Sequence, residues 1–201
     1  MPSLPVLTEL SPAEFIGELD PLLAIYADAM GADPDGLPGR REVMRRHAGY
    51  PAFRAVTARL DREGPVVGFA YGFHGAGGQW WHDAVWSALS WSLGLTAAAH
   101  WLADCMELAE IHVLTPRQRM GIGTRLMLAM TAGRPERTVM LSTPDRETTA
   151  RRLYRRLGFS DLMTGYSFPG GSPPYAIMGA LLPLRDPIAA DSRPRSASPS
   201  I

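Results

Sequence analysis

Apolar residues recur at two spacings along this chain, and the spacings divide it into elements. Residues 53–60 and 66–73 alternate or run apolar on either side of Asp61-Arg62-Glu63-Gly64, which predicts a hairpin. Residues 106–113, 138–143, 161–167 and 175–182 predict four further strands. Leu126, Met127 and Met130 follow the first of these at helical spacing, and the stretch from Ala150 to Gly158 predicts a second helix closed by a glycine cap. Towards the N-terminus, Ser11-Pro12-Ala13-Glu14 predicts a helix start with a serine cap and proline in the first turn, running to about Met30. A Gly/Pro/Asp-rich loop over 31–39 and a short helix over 40–47 follow.

The connection over 75–105 is long and carries Trp80, Trp81, Trp86, Trp91 and Trp101. A buried helical stripe containing Trp81, Val85 and Leu89 accounts for most of them, while the segment remains a candidate acceptor lid or homodimer surface. The apolar stretch 87–106 is interrupted by Ser90, Ser92, Gly94, Thr96, His100 and Asp104. A membrane span needs about 20 predominantly apolar residues, so it reads as helices of a soluble domain. Gly and Pro between 169 and 174 predict a stiff turn, and its prolines remove N–H groups that a phosphate cradle would use.

Composition narrows the classes. A chain of 201 residues fits one domain, expected over 1–186, with a Ser/Arg/Pro/Ala-rich tail over 187–201 expected to be disordered. Twenty basic residues balance twenty acidic ones, which argues against a nucleic-acid or anionic-membrane partner. All the basic residues are arginine. The single Cys105 excludes an internal disulfide and reads as a small core residue. With no basic-then-apolar start, the expected location is cytoplasmic. No metal-ligand set is read.

The most informative run is residues 113–124, Val-Leu-Thr-Pro-Arg-Gln-Arg-Met-Gly-Ile-Gly-Thr, between a predicted strand and a predicted helix. Glycines at 121 and 123 free the backbone and bring a ligand close to helix-start N–H groups, where negative charge is favoured. A P-loop would need Gly-Lys-Ser/Thr, and the chain has no lysine. A dinucleotide fingerprint would need glycine at 126, which is Leu126, and a later acidic residue. The pattern that remains, Gln/Arg-x-x-Gly-x-Gly/Ala, is filled by Gln118, Gly121 and Gly123. A second element, Ala150-x-x-Leu153-Tyr154 ending in Gly158-Phe159, stands at a compatible distance.

Together these motifs resemble the GCN5-related N-acetyltransferase (GNAT) family, strongly over 106–160. The resemblance implies an α/β fold with a mixed central sheet of about six to seven strands flanked by helices. It implies acetyl-CoA as acyl donor and a primary amine of a small molecule or peptide as acceptor. Cofactor contacts then fall on Ile111, Val113, Gln118, Arg119, Met120, Gly121, Ile122, Gly123 and Thr124, the last seven around the pyrophosphate and the first two along the pantetheine arm. Backbone near Ile111 would face the developing oxyanion, and Tyr154 would protonate the thiolate.

An alkylammonium is about 10³-fold protonated at neutral pH, so a base is expected. Glu107 and Glu110 are the candidates. Period-two alternation places them on opposite faces, so that only one serves. Glu107 matches the strand glutamate of histone-modifying relatives, Glu110 a polar position of small-molecule branches, and Glu107 is slightly favoured. His112 shares the Glu110 face and is either structural or a relay. Arg117, Arg119 and Arg125 flank the phosphates or are solvated; Arg151, Arg152, Arg155 and Arg156 read mainly as a solvated face. One departure from the family is Glu147, where asparagine is common. The alternative function is a non-catalytic acyl-CoA sensor of the same fold.

Overall fold

In the computed structural model, which describes residues 5–186, the alternating stretches become one seven-stranded mixed sheet. Its strands are β1 (Val6–Leu10), β2 (Arg54–Arg59), β3 (Val66–His74), β4 (Cys105–Val113), β5 (Thr138–Pro144), β6 (Ser160–Tyr166) and β7 (Tyr175–Leu181). Their spatial order is β1-β2-β3-β4-β5-β7-β6. Only β4 and β5 are parallel, as the βα-crossover between them requires. The expected architecture is therefore present, and the tail over 187–201 lies outside the described residues.

Helices cover both faces. On one, α6 (Ile122–Thr131) and α7 (Thr149–Leu157) close a core containing Leu126, Met130, Val139, Leu141, Leu157 and Met178. On the other, α1 (Pro12–Gly17), α2 (Leu19–Met30) and α3 (Leu37–His47) pack over β2–β4, with Phe15, Leu22, Met44, Phe69 and Tyr71 buried between them. The tryptophan-rich connection forms α4 (Trp80–Leu93) and α5 (Leu95–Leu102), which bury Val85, Leu89, Ala98 and Leu102 against β5 and β7. Trp81, Trp86 and Trp101 pack against that core, whereas Trp91 is 93% exposed, so the buried stripe explains three of the five indoles.

The structure adjusts the expected boundaries. The first helix is split, because Glu18 closes α1 and leads straight into α2. Ser11 caps α1 with a full capping box: Glu14 N–H donates to Ser11 Oγ, and the Glu14 carboxylate accepts from Ser11 N–H at 2.8 Å. The Pro/Gly loop contributes a 3-10 turn, Pro34–Gly36, and the first turn of α3. β1, an edge strand with Leu10 alone fully buried, has no counterpart among the expected strands.

The feature that shapes the molecule is a short overlap. β4 and β5 pair over Cys105↔Thr138, Met106↔Val139 and Glu107↔Met140 only. Beyond Glu107 the two strands part, β4 staying with β3 and β5 with β7. A bulge drives the separation: Tyr71 pairs with Glu110 and Gly72 with Leu108, leaving Ala109 as the extra residue. At Gly72 a Cβ would lie 2.3 Å from the Glu107 carbonyl oxygen, so only glycine fits opposite the bulge.

Candidate active site

Where β4 and β5 part, a cleft of about 1930 Å³ opens through the sheet. Single small-ligand pockets run to roughly 1,000 Å³, so this one has room for two reactants. Its lining joins α2, α3, the start of α4, the free half of β4, the loop before α6, the end of β5, α7 and the β6–β7 loop.

The bulge changes the geometry of the two carboxylates. Phe69, Tyr71 and Phe73 share one face of β3, and their partners across the ladder are His112, Glu110 and Glu107. All three polar residues therefore point to the α1–α5 face. The expectation that Glu107 and Glu110 face opposite ways is overturned, because the inserted Ala109 reverses the alternation between them.

Environment still separates them. Glu110 Oε1 accepts from Arg40 Nη1 at 2.9 Å, and its Oε2 lies 2.5 Å from His112 Nε2. Arg40 in turn sits 4.9 Å above the Tyr26 ring, which meets His112 edge-on at 5.2 Å. Glu110 is thus engaged at both oxygens and ties α3 to β4. Glu107 is 3% exposed, and its Oε2 has no hydrogen-bond partner among the described residues. Burial, with a smaller contribution from the Asp83 charge, pushes its pKa up to about 8.

Tyr154 enters from the opposite face, on α7. It is 5% exposed, packs on Phe159 at 5.7 Å and lines the cleft. Burial above all, then the Glu110 charge, raises the phenol well above its usual pKa, so it stays protonated over the physiological range. Base-like and acid-like groups therefore approach the opening from different sides of the sheet.

The glycine loop has the backbone form of a nest of converging N–H groups. After the 3-10 turn Thr115–Arg117, Arg119 and Gly121 take left-handed angles, φ +63° and +78°. The first helical bond, Arg125 N–H to Gly121 O, leaves the N–H groups of Ile122, Gly123 and Thr124 without partners inside the helix. Gln118 Nε2 donates to Val113 O at 3.2 Å and pins the loop to the strand end. Gly123 has a packing role as well: a Cβ there would lie 3.2 Å from Leu153 Cδ2. Leu114 N–H bonds to Val67 O, so by alternation the main-chain groups of Ile111 and Val113 face the open edge where β5 has departed.

Of the expected cofactor residues, Ile111, Val113, Gln118, Arg119, Gly121, Ile122, Gly123 and Thr124 all line the cleft. Met120 does not. Its side chain projects outward, 41% exposed, because left-handed residues on both sides turn it away. Arg117 and Arg156 line the cleft, whereas Arg151 is buried between Asp145 and Asp161 and is not part of a solvated face. Glu147 pairs with Arg155 outside the cleft lining. Cys105 is buried, and burial pushes its thiol up to about 12, which suits the core role.

Several cleft residues carry no local sequence signal. Arg40, His47, Tyr50, Phe73, Phe168 and Tyr175 come from five separate segments and converge only in the fold. A valine at Gly121 would strain a left-handed position and perturb the nest. We expect acetyl-CoA affinity to fall about 10- to 100-fold, the worth of one charge-assisted hydrogen bond, as measured by calorimetry.

Comparison with known proteins places this geometry. Residues 57–161 match the family model described as an acetyltransferase (GNAT) domain. The chain is 37% identical to the GCN5-like protein acetyltransferase Rv2170 of Mycobacterium tuberculosis, over 89% of this chain and 98% of that protein. Its fold resembles the ribosomal-protein-S18-alanine N-acetyltransferase of Escherichia coli, with TM-score 0.60 and 16% identity over 92% of this chain and 98% of that one. It also resembles a GNAT-family acetyltransferase of Bacillus cereus, with TM-score 0.58 and 18% identity over 89% and 98%.

Proposed function

The chain belongs to the GNAT family of acetyltransferases, and from that premise we propose that it moves an acetyl group from acetyl-CoA to a primary amine by direct attack, with Glu107 as base and Tyr154 as acid. The observation that carries the reading is a buried carboxyl with an unpartnered oxygen on one side of the splayed strands and a protonated phenol on the other. The name of Rv2170 as a protein acetyltransferase favours a protein or peptide amine as acceptor over a small metabolite.

The N–H groups of the nest, with Gln118 and Arg119 beside them, would hold the pyrophosphate, and the open edge at Ile111 and Val113 would pair with the pantetheine arm. Bound acetyl-CoA supplies an electrophilic thioester carbon. Glu107 takes the proton released as the amine nitrogen bonds to that carbon. A main-chain N–H near Ile111 offers a preorganised donor to the carbonyl oxygen as charge builds there, a contribution of about 3 to 4 kcal/mol where such donors have been removed. Tyr154 would give its proton to sulfur as the C–S bond breaks and its electron pair passes to sulfur, so that coenzyme A leaves as a neutral thiol. Direct attack is favoured because no serine or cysteine nucleophile occupies the matched positions; Cys105 is sealed in the core.

Glu107 is favoured over Glu110 because its Oε2 has no hydrogen-bond partner among the described residues, while both Glu110 oxygens are engaged. Release of free thiol from acetyl-CoA on adding an amine panel tests the function. Thiol release is expected with at least one class of amine. Tight acetyl-CoA binding without turnover on any amine would replace this reading with the acyl-CoA sensor.

A further inference from the structure

The acceptor side of the cleft is walled by aromatic rings and nearly bare of usable negative charge. One panel is built on β3 and the end of α3. His47, Tyr50 and Phe73 contact one another at ring separations of 4.8, 4.9 and 5.3 Å, and His47 Nδ1 lies 3.2 Å from Tyr71 Oη. The second panel sits over β5 and β7. Trp80 lies 5.3 Å from Phe168, which meets Tyr175 at 5.5 Å, and Trp81 Nε1 donates to Ser142 Oγ at 3.0 Å. Glu107 stands on the strand between the panels, with Phe73 as its cross-strand partner on one side and Met140 on the other.

Among the described residues, only Asp33, Glu107 and Glu110 contribute carboxylates to the lining. Asp33 caps a 3-10 turn through Asp35 N–H, and Glu110 is held by Arg40 and His112. Glu107 is left as the one lining carboxyl held by no other side chain among the described residues, and it is nearly buried. Arg40 and the exposed Arg46 line the same side. His47 adds no positive charge at neutral pH, since burial, then the Arg46 charge, holds it down to about 4.

This arrangement has a definite chemistry. Ring faces attract an alkylammonium and pack against its methylenes, and the wall offers no more than one carboxyl outside an ion pair or cap. A second ammonium on the same molecule would find arginine where it needs a carboxylate. Resting on the acetyltransferase reading above, we propose that the acceptor is a singly charged primary amine on a slim apolar stem, the chemistry shared by a lysine side chain and a simple aralkylamine, and that polyamines and aminosugars are excluded by charge.

The test measures kcat/KM with acetyl-CoA for four acceptors: an Nα-acetyl-lysine amide, 2-phenylethylamine, spermidine and a multiply charged aminosugar. The chain contains no lysine, so self-acetylation of ε-amines adds no background. At least one singly charged acceptor should exceed both polycations by about 100-fold, and the better of the two identifies the source as polypeptide or free amine. Tyr50→Ser and Trp80→Ser should each raise KM for that acceptor about tenfold while leaving KM for acetyl-CoA unchanged. Arg46→Glu should raise spermidine kcat/KM about tenfold. Spermidine or the aminosugar matching the monoamines overturns this inference but leaves the acetyltransferase intact. Failure to turn over any of the four, together with every other amine tried, would remove the enzymatic reading itself.

Discussion

Glu107→Gln is expected to lower kcat by 10²- to 10⁴-fold and, at the same time, to make the protein more stable in alkaline buffer. The first effect is the loss of a general base. The second follows from burial: a carboxyl that ionises near pH 8 in the folded chain but near 4.5 in the unfolded chain opposes folding once solution pH exceeds the lower value. The sign follows from the raised pKa. The favourable contribution of the neutral form is complete below about 4.5, shrinks as pH rises and is gone above about 8. At 1.36 kcal/mol per unit the cost reaches about 3 kcal/mol at pH 7 and about 5 kcal/mol above pH 8. Glutamine cannot ionise, so its variant should show a flatter stability profile from pH 5 to 9 and a higher Tm at pH 9. The wild-type kcat/KM should climb through about pH 8, and that step should vanish in the variant. Glu110→Gln tests the same idea from the other side: it should loosen α3 from β4 without removing the step near pH 8. If instead the step survives in Glu107→Gln and disappears in Glu110→Gln, the base is Glu110.

Tyr154→Phe should cost about 10²-fold in kcat with little change in acetyl-CoA affinity. The ring packs in the core beside Phe159, and phenylalanine keeps that contact, so the variant isolates the hydroxyl. Because burial holds the phenol protonated, its contribution should not titrate between pH 6 and 9. A discriminating measurement uses acetyl donors whose thiol is more acidic than coenzyme A. Such a leaving group departs without help, and the wild-type advantage over Tyr154→Phe should shrink towards unity. An advantage that persists across donors would assign Tyr154 to packing rather than to proton transfer. Wild-type donor affinity should meanwhile persist, since the nest and the open strand edge are untouched.

The stability cost at Glu107 and the open edge of β4 adjoin at the same point of the sheet. A sheet that continued to pair β4 with β5 would satisfy every backbone group there, and it would leave no opening between the faces. Parting the strands after three residues exposes the Ile111 and Val113 main chain on one edge, and Glu107, the last residue paired with β5, is buried beside the parting. Both features are unfavourable for folding alone, the pattern that marks a candidate functional site.

Much of this was legible in the residues. Strands other than β1 follow from alternation and apolar runs, and the nest follows from Gln118, Gly121 and Gly123 after a strand, because glycine spacing and helix-start N–H groups are local properties. The sequence also named both carboxylates and Tyr154. β1 escaped notice since a five-residue edge strand with exposed Thr8 and Glu9 buries too little to show a period. What the chain alone did not determine is the relation between elements. A single inserted residue, Ala109, turned Glu107 and Glu110 to the same face, and counting by twos missed it because a bulge is defined by its partner strand. The choice between the two carboxylates rests on which one meets Arg40 and His112, and Arg40 lies 70 positions from its partner. The aromatic panels likewise arise from six segments with no shared motif. Local sequence sets dihedral preferences and periodicity over a few residues. Desolvation and charge pairing depend on neighbours brought from far along the chain, and only the packed sheet decides those.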